Sequence, residues 1–108
     1  MELIQLKISD KDNSIKYVLK LSGKEIGYAY IFSRENNPIE IYIDEDYQSN
    51  GYGKILFNSL LKILKSKGLK GCVFEIDESN YRFINILTNA GAMKVGSHLS
   101  MIKFIIKL

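Results

Sequence analysis

Residues 44–65 read DEDYQSNGYGKILFNSLLKILK. It passes from an acidic turn through two glycines, Gly51 and Gly53, into a run whose apolar residues recur at helical spacing. Most of the lysines fall elsewhere around the helix, away from the apolar set of Leu56, Leu60, Ile63 and Leu64. The pattern predicts an amphipathic helix over Tyr52–Lys67 that ends at Gly68.

The glycine loop before this helix has the properties of an anion-binding site. The first N–H groups of a helix lack internal partners and lie at the positive end of its dipole. Gly51 and Gly53 carry no Cβ, so an anion can approach the backbone closely and φ can be positive. Lys54 adds a positive charge in the first turn. The loop therefore indicates a phosphate-bearing ligand.

The glycine loop has three other interpretations. A Walker phosphate loop needs an earlier glycine and a Ser or Thr after Gly-Lys, but the glycine is missing and Ile55 follows Lys54. A dinucleotide fingerprint needs a third glycine three residues after the second, where this sequence has Leu56. Both are rejected, which leaves an ordinary glycine turn that binds nothing as the alternative to an anion site.

The rest of the chain alternates short apolar segments with polar turns. Period-two patterns and turn residues predict strands, and a polar cap before an apolar run predicts a second helix. The predicted strands are Glu2–Ser9, Ile15–Leu21, Glu25–Phe32, Ile39–Ile43, Gly71–Ile76, Ala92–Val95 and Leu99–Leu108, with turns at 10–14, 22–24 and 96–97. The second helix is predicted from a cap at Ser79 or Asn80 through Asn89.

This order, β β β β α β α β β, predicts the fold class. The first four strands are expected to form a meander because their connections are short, and the strands flanking the first helix are expected to be parallel. The result is an α/β (or α+β) domain with a mixed, mostly antiparallel sheet of about six or seven strands and two main helices, arranged in three layers. Residues 1–108 are expected to form a single domain.

Composition narrows the function classes. The 108 residues carry a net charge of +3, and Arg34 and Arg82 are the arginines, which argues against a nucleic-acid reader. A single cysteine, Cys72, favours a reducing compartment and is expected to pack in the core. Met93 is likewise expected in the core. No signal peptide or membrane-spanning segment is predicted, so we expect a cytoplasmic protein without a membrane partner.

Two groups of residues together resemble a known family. Gln48, Gly51 and Gly53 follow a predicted strand, and Asn80 precedes a short helix that ends at Gly91-Ala92. The pattern resembles the coenzyme A loop and downstream segment of the GCN5-related N-acetyltransferases, in which Gly-Phe usually stands where Gly91-Ala92 stands here. The resemblance covers Ile39 to about Gly96.

The resemblance implies acetyl-CoA as cosubstrate and no metal. The pantetheine arm would bind between the fourth and fifth strands, as an added strand along Ile41 and Ile43, and the loop would hold the diphosphate. An amine would then attack the thioester directly. The implied coenzyme-binding residues are Ile41, Ile43, Gln48, Ser49, Asn50, Gly51, Tyr52, Gly53, Lys54 and Asn80.

The catalytic groups are less well specified. Glu40 and Tyr42, on one face of the fourth strand, and Glu75 on the fifth are the candidates for the base, although both carboxylates also fit solvated strand positions. The family commonly supplies an acid as a Tyr on the second helix, and counting from Asn80 places Leu87 there. Reduced N-acetyltransferase activity is therefore expected. The alternative is a non-catalytic coenzyme A-binding module that acts as a sensor or partner subunit.

The acceptor side also departs from the resemblance. The family usually inserts two helices between its first and second strands, whereas residues 10–14 leave room only for a turn. An open groove of this kind favours a protein or peptide amine, or a polyamine, as the acceptor. The apolar segment Leu99–Leu108 is expected to form a sheet edge that can pair with a second copy in a homodimer.

Overall fold

A computed structural model describes the backbone of residues 2–7 and all of residues 13–108. Ile8, Ser9 and residues 10–12, parts of the first predicted strand and turn, lie outside the described residues. The elements are β1 (Glu2–Lys7), β2 (Ile15–Leu21), β3 (Lys24–Ile31), β4 (Ile39–Ile43), a 3-10 turn (Glu45–Tyr47), α1 (Tyr52–Ser66), β5 (Gly71–Asp77), α2 (Tyr81–Asn89), β6 (Met93–His98) and β7 (Met101–Lys107). The predicted element order is confirmed.

One seven-stranded sheet runs in the order β1-β2-β3-β4-β5-β7-β6. The predicted meander of β1 to β4 is confirmed, and so is the parallel pairing of β4 with β5 across α1. All other neighbouring strands are antiparallel. Within the described residues, no helix is long and apolar enough to cross a bilayer.

Local sequence signals set both helix ends. Gly68 follows α1 with φ +84°, the left-handed conformation that ends helices and that glycine adopts without strain. Asn80 caps α2, because its side-chain oxygen accepts a hydrogen bond of 3.2 Å from the Phe83 amide. The predicted helices are therefore confirmed to within one residue.

Both helices cover the same face of the sheet. The ring of Phe74 on β5 lies 5.6 Å from Phe57 of α1 and 6.4 Å from Phe83 of α2, and the two helical rings are 5.9 Å apart. Such edge and tilted ring pairs are favourable packing geometries. In the part of the chain that the structure describes, no helix covers the opposite face. The described residues therefore form two layers, a sheet and one layer of helices, and not the three that were predicted.

The last hairpin turns later than predicted. Gly96 lies inside β6, where the register shifts between Lys94 and Gly96, so this glycine marks a β-bulge and not a turn. The chain reverses at Leu99 and Ser100, and Leu99 has φ +55°. A leucine with positive φ gives no turn signal in sequence, which explains the error.

The expected sheet edge was also misplaced. β7 pairs with β5 on one side and β6 on the other, so the segment predicted as an edge is internal. β6 is the edge strand, and all of its residues are exposed. Met93 is 65% exposed on this strand, which contradicts its predicted place in the core. Cys72, in contrast, packs against the core as expected.

Candidate functional site

β4 and β5 separate at their carboxyl ends. Their pairing register consists of one residue pair, Ile39 with Phe74, at the start of β4. On the other side, Asp44 N–H donates to Ile26 O at 2.8 Å, which marks a hydrogen-bonded pair of the antiparallel β3–β4 ladder. Because such pairs alternate, the backbone groups of Ile41 and Ile43 face β5, where no pairing continues.

The glycine loop leaves the start of α1 unpaired. Gly51 has φ +81°, and its carbonyl accepts from the Ile55 amide at 3.1 Å. No acceptor for the N–H groups of Tyr52, Gly53 or Lys54 lies within residues 13–108, and no side chain caps this helix. Three amides and the positive end of the helix dipole thus point out of α1 together.

Gln48 ties the loop to its surroundings. Its side-chain Nε2 donates to the Ile43 carbonyl at 2.9 Å, and its Oε1 accepts from Nη1 of Arg82 at 2.7 Å. Asn50 Nδ2 donates to the Gln48 carbonyl at 3.2 Å. The side-chain carboxamide of Gln48 therefore joins the glycine loop to the end of β4 and to the first turn of α2.

A cavity of about 960 Å³ lies between these elements. This is the upper end of the size range of small-molecule sites. Its lining residues are Tyr42, Ile43, Gln48, Ser49, Gly51, Gly53, Lys54, Asp77, Ser79, Asn80, Tyr81, Arg82, Phe83, Asn85 and Ile86. The first turns of both helices therefore open into one cavity.

A family model identifies the family, and solved structures share the fold. The sequence model described as the acetyltransferase (GNAT) family matches residues 2–91. The chain belongs to the GNAT family. Family membership supports acyl or acetyl transfer as the general activity, and the mixed fold described above is that of GNAT proteins.

Solved GNAT structures share this fold at low sequence identity. An IAA acetyltransferase from Bacillus cereus superposes with a TM-score of 0.73 at 19% identity, over 88% of this chain and 78% of that chain. A GNAT acetyltransferase from Elizabethkingia anophelis with acetyl-CoA bound gives 0.71 at 17% identity, over 88% and 76%. A PaiA N-acetyltransferase from Thermoplasma acidophilum in complex with coenzyme A gives 0.72 at 20%, over 90% and 62%.

One curated protein that is not named as an acetyltransferase also matches by sequence. A phosphoglucosamine mutase from Dictyoglomus turgidum is 37% identical over 73 residues, which are 65% of this chain. The chain spans only 13% of the length of that protein. The match therefore relates this chain to a small segment of the mutase and not to the mutase as a whole.

Most of the predicted coenzyme-binding residues of this GNAT protein line the cavity. Ile43, Gln48, Ser49, Gly51, Gly53, Lys54 and Asn80 do so. Ile41 is not in the lining because its side chain is buried in the core, although its backbone faces β5. The ring of Tyr52 packs 6.1 Å from Tyr47, and Asn50 bonds back to Gln48.

The three candidate bases lie in different environments. Tyr42 is 42% exposed and lines the cavity. Glu40 shares the uncovered face of β4 with Tyr42, two residues earlier. Glu75 lies outside the cavity lining, and its carboxylate accepts from Arg34 Nη2 at 2.7 Å, with Lys103 Nζ at 4.0 Å. Two cations therefore already neutralise Glu75.

Tyr28 packs beside Tyr42 near several acidic residues. The two rings lie 5.6 Å apart on the uncovered face of the sheet. Burial raises the pKa of the Tyr28 hydroxyl, and the carboxylate of Glu40 raises that pKa further, followed by Tyr42, Asp44 and Glu25. Burial is the larger cause, and nearby negative groups add to it because they disfavour the phenolate.

The position at which the resemblance implies a tyrosine is closed to the cavity. Leu87 is fully buried in the core and does not line the cavity. Tyr81, which the helical spacing puts on a different face of α2, lines the cavity and is 72% exposed. The side of α2 that faces the cavity carries Arg82, Phe83 and Ile86.

Apart from Asn80, sequence reasoning missed the lining residues on and before α2. Arg82 follows the predicted cap Asn80 by two residues, so its place in the first turn was available from the sequence. Its contact with Gln48 was not, because 34 residues separate the two. Asp77 lies at the end of β5, where the hydroxyl and amide of Ser79 donate to it and lower the pKa of its carboxyl.

Proposed function

We propose that this chain is an acetyl-CoA-dependent N-acetyltransferase that transfers an acetyl group to a primary amine. The observation that carries the proposal is the set of unpaired amides of Tyr52, Gly53 and Lys54, which open at the end of α1 beside the cavity. Backbone N–H groups at a helix start bind phosphate without further charge. A ligand with a diphosphate at one end fits this end of the cavity.

The open side of β4 fits the other end of the same ligand. Ile41 and Ile43 present backbone groups toward β5, and no strand continues there. The amides of a pantetheine arm would pair with these groups as an added strand does. The two similar structures that hold acetyl-CoA and coenzyme A support this cosubstrate. No metal takes part in the proposed reaction.

The proposed reaction is direct aminolysis of the thioester. The amine nitrogen forms a bond to the acetyl carbonyl carbon, backbone N–H of β4 stabilises the oxyanion, and the C–S bond breaks as the thiolate of coenzyme A leaves. The base takes the proton that the ammonium loses. Because Leu87 cannot donate a proton, the thiolate leaves without a protein acid and exchanges a proton with water afterwards, and we expect a rate lower by about 10²–10⁴-fold than with such an acid.

Glu40 and Tyr42 are the groups that we assign to the acceptor amine. Tyr42 lines the cavity, and Glu40 precedes it by two residues on the uncovered face. Lys16 Nζ lies 4.7 Å from the centroid of the Tyr28 ring, so this aromatic surface already contacts one ammonium group. We expect the acceptor amine to contact the surface in the same way. Glu75 is the weaker candidate because Arg34 and Lys103 hold its carboxylate.

The uncovered face favours an acceptor that is not enclosed. Tyr28 and Tyr42 form an aromatic surface with Glu40 and Asp44 close by, and no helix of residues 13–108 covers it. A protein or peptide amine, or a polyamine, fits such a face. The single cysteine favours a reducing compartment, so we place the reaction in the cytoplasm.

The test is release of coenzyme A from acetyl-CoA with a panel of amines. We expect turnover with at least one polyamine or peptide amine, a strong loss in Glu40→Gln and little change in Glu75→Gln. Lys62→Gln, an exposed change on the far side of α1, serves as the control. Tight acetyl-CoA binding with no turnover for any amine would reject the enzyme.

That negative outcome would favour the second candidate function, a coenzyme A-binding module without turnover. The buried Leu87 is the observation that supports it, since no hydroxyl reaches the cavity from that position. The module would act as a sensor or as a partner subunit. It predicts that acetyl-CoA and free coenzyme A bind and stabilise the protein equally, because no thioester chemistry distinguishes them.

A further inference from the structure

Arg82 connects the two sides of the cofactor cavity. It stands in the first turn of α2, and its Nη1 donates to Oε1 of Gln48 in the glycine loop at 2.7 Å. Gln48 in turn donates to the Ile43 carbonyl at 2.9 Å. The guanidinium is therefore held at the phosphate-binding end of the cavity by a partner that belongs to the loop itself.

Most of the hydrogen-bonding capacity of Arg82 is unused. A guanidinium has five N–H donors in a planar fork, and Gln48 takes one of them. Within residues 13–108 no carboxylate forms an ion pair with Arg82, although its side chain is exposed and lines the cavity. Asp77, in the same cavity, accepts from Ser79 instead.

The surroundings of Arg82 reinforce a preference for negative charge. Gly53 and Lys54, whose amides have no acceptor within residues 13–108, line the same cavity, and Lys54 is a second cationic residue of the lining. Arginine matches phosphate oxygens in a bidentate way, with both geometry and charge. Such a group distinguishes ligands by whether they carry phosphate at this end.

We propose that Arg82 is a specificity-determining residue that contacts the phosphates of the cosubstrate and makes the chain select coenzyme A thioesters over the same thioester on bare pantetheine. The inference rests on the proposed function, since it assumes that acetyl-CoA occupies the cavity. S-acetylpantetheine carries the same reactive arm without the diphosphate or the nucleotide. Its binding relies on β4 and leaves Arg82 without a partner.

The experiment compares the Kd of acetyl-CoA and of S-acetylpantetheine by NMR titration, which reaches weak affinities. Wild type, Arg82→Gln, Arg82→Lys and the control Lys62→Gln are measured with both ligands. One charge-assisted hydrogen-bonding group corresponds to about a tenfold change in Kd. We expect that loss for acetyl-CoA in Arg82→Gln, a smaller loss in Arg82→Lys, and no change for S-acetylpantetheine in any variant.

Two results overturn the inference while leaving the proposed function intact. An unchanged Kd of acetyl-CoA in Arg82→Gln shows that the guanidinium makes no contact. An equal loss for both ligands shows that Arg82 only supports the fold or the loop. If wild type binds neither ligand, the proposed function fails, and the inference that rests on it fails as well.

Discussion

At the scale of single residues, the two glycines of the loop have different reasons to be glycine. Gly51 has φ +81° with open space around the position where a Cβ would lie. Gly53 is helical, and a Cβ there would lie 3.5 Å from Ile86 Cδ1 and 3.8 Å from Phe83 Cε2. Gly51 is needed for backbone conformation, whereas Gly53 keeps the base of the cavity open.

The first prediction tests the backbone role of Gly51. Gly51→Ala should lower stability by about 1 kcal/mol, because the left-handed conformation strains any residue with a Cβ, and should weaken acetyl-CoA binding as the loop relaxes. Gly68→Ala is the matched control, since Gly68 has a similar φ of +84° and equally open space, and it lies at the opposite end of α1 from the loop. Thermal unfolding and titration of both variants are the measurements. Equal effects of the two on binding would contradict the prediction.

A second prediction concerns Gly53. Gly53→Ala makes ordinary contacts only and raises helix propensity, so Tm should not fall. Gly53→Phe, in contrast, must place a ring against Ile86 and Phe83 or in the cavity, and acetyl-CoA binding should be lost. Calorimetric titration of the pair checks this. Undiminished binding by the Phe variant would show that the cavity is not the cofactor site.

The third prediction concerns Cys72. Burial raises the pKa of its thiol from 9.0 to about 12, so at pH 8 its thiolate fraction is about a thousandfold below that of a free thiol. Alkylation of the folded protein should be correspondingly slow, accelerate as the pH rises toward that pKa, and become fast in denaturant. Mass spectrometry follows the reaction. Rapid labelling of the native state at pH 8 would count against a core role.

Sequence predicted the residues whose roles are local. The Gly51 conformation, the Asn80 cap and the Gly68 helix end each depend on a few neighbouring residues, and all were anticipated. The Arg82–Gln48 bond and the neutralisation of Glu75 by Arg34 join residues 34 and 41 positions apart. A pattern read along the chain does not contain such contacts.

At the scale of elements, the approach of β3 to β4 depends on Gly27. A Cβ on Gly27 would lie 2.6 Å from the Tyr42 carbonyl oxygen and 2.6 Å from Ile43 Cδ1. The Ile43 side chain can rotate away, but the backbone oxygen can move only with the strand. The position of β4, and of the cavity wall it forms, is therefore coupled to a glycine on the neighbouring strand.

The fourth prediction follows from that contact. Gly27→Ala should destabilise the fold by about 1–3 kcal/mol, as overpacking in a core does, and should weaken acetyl-CoA binding by displacing Tyr42 and Ile43. Gly96→Ala on β6 is the control, because nothing lies within 4 Å of its added Cβ. Denaturant unfolding measures both. If Gly27→Ala is as stable as wild type, β4 can move away from the added Cβ without loss of stability, and the prediction is wrong.

Element order was predictable because each strand and helix carries its own period. The separation of β4 from β5 was expected only from the family resemblance, since no residue in Ile39–Ile43 differs from an ordinary buried strand. The edge position of β6 was missed for a related reason. Strand order depends on whether β6 or β7 pairs with β5, and the residue composition of these two strands does not determine it.

At the scale of the whole molecule, the uncovered face and the β6 edge leave surfaces that a partner can use. Val95 on β6 is 47% exposed, and an edge strand offers unpaired backbone groups. We propose that a second copy pairs there and forms a homodimer, in place of the pairing first expected on β7. Sedimentation should show a dimer that Val95→Lys disperses. The proposed homodimer is wrong if the protein is a monomer at all concentrations, or if Val95→Lys leaves the dimer unchanged.

Ligand binding should also be visible in the stability of the whole fold. A ligand at one hundred times its Kd stabilises the native state by about 2.7 kcal/mol, which in a domain of this size raises Tm by roughly 10 °C. Acetyl-CoA should produce that shift, whereas NAD, which has a diphosphate but lacks the arm that pairs with β4, should produce a smaller one. No shift with acetyl-CoA at saturating concentration would exclude an acetyl-CoA site in this chain.

The most direct test of the central claim observes the amide groups themselves. Chemical shifts of backbone amides, followed by NMR as coenzyme A is added, report which N–H groups contact the ligand. We expect the largest changes at Tyr52, Gly53 and Lys54, accompanied by changes at Ile41 and Ile43 and by little change on β1 and β2. Changes confined to other parts of the chain, or none at all, would mean that these amides do not bind the diphosphate.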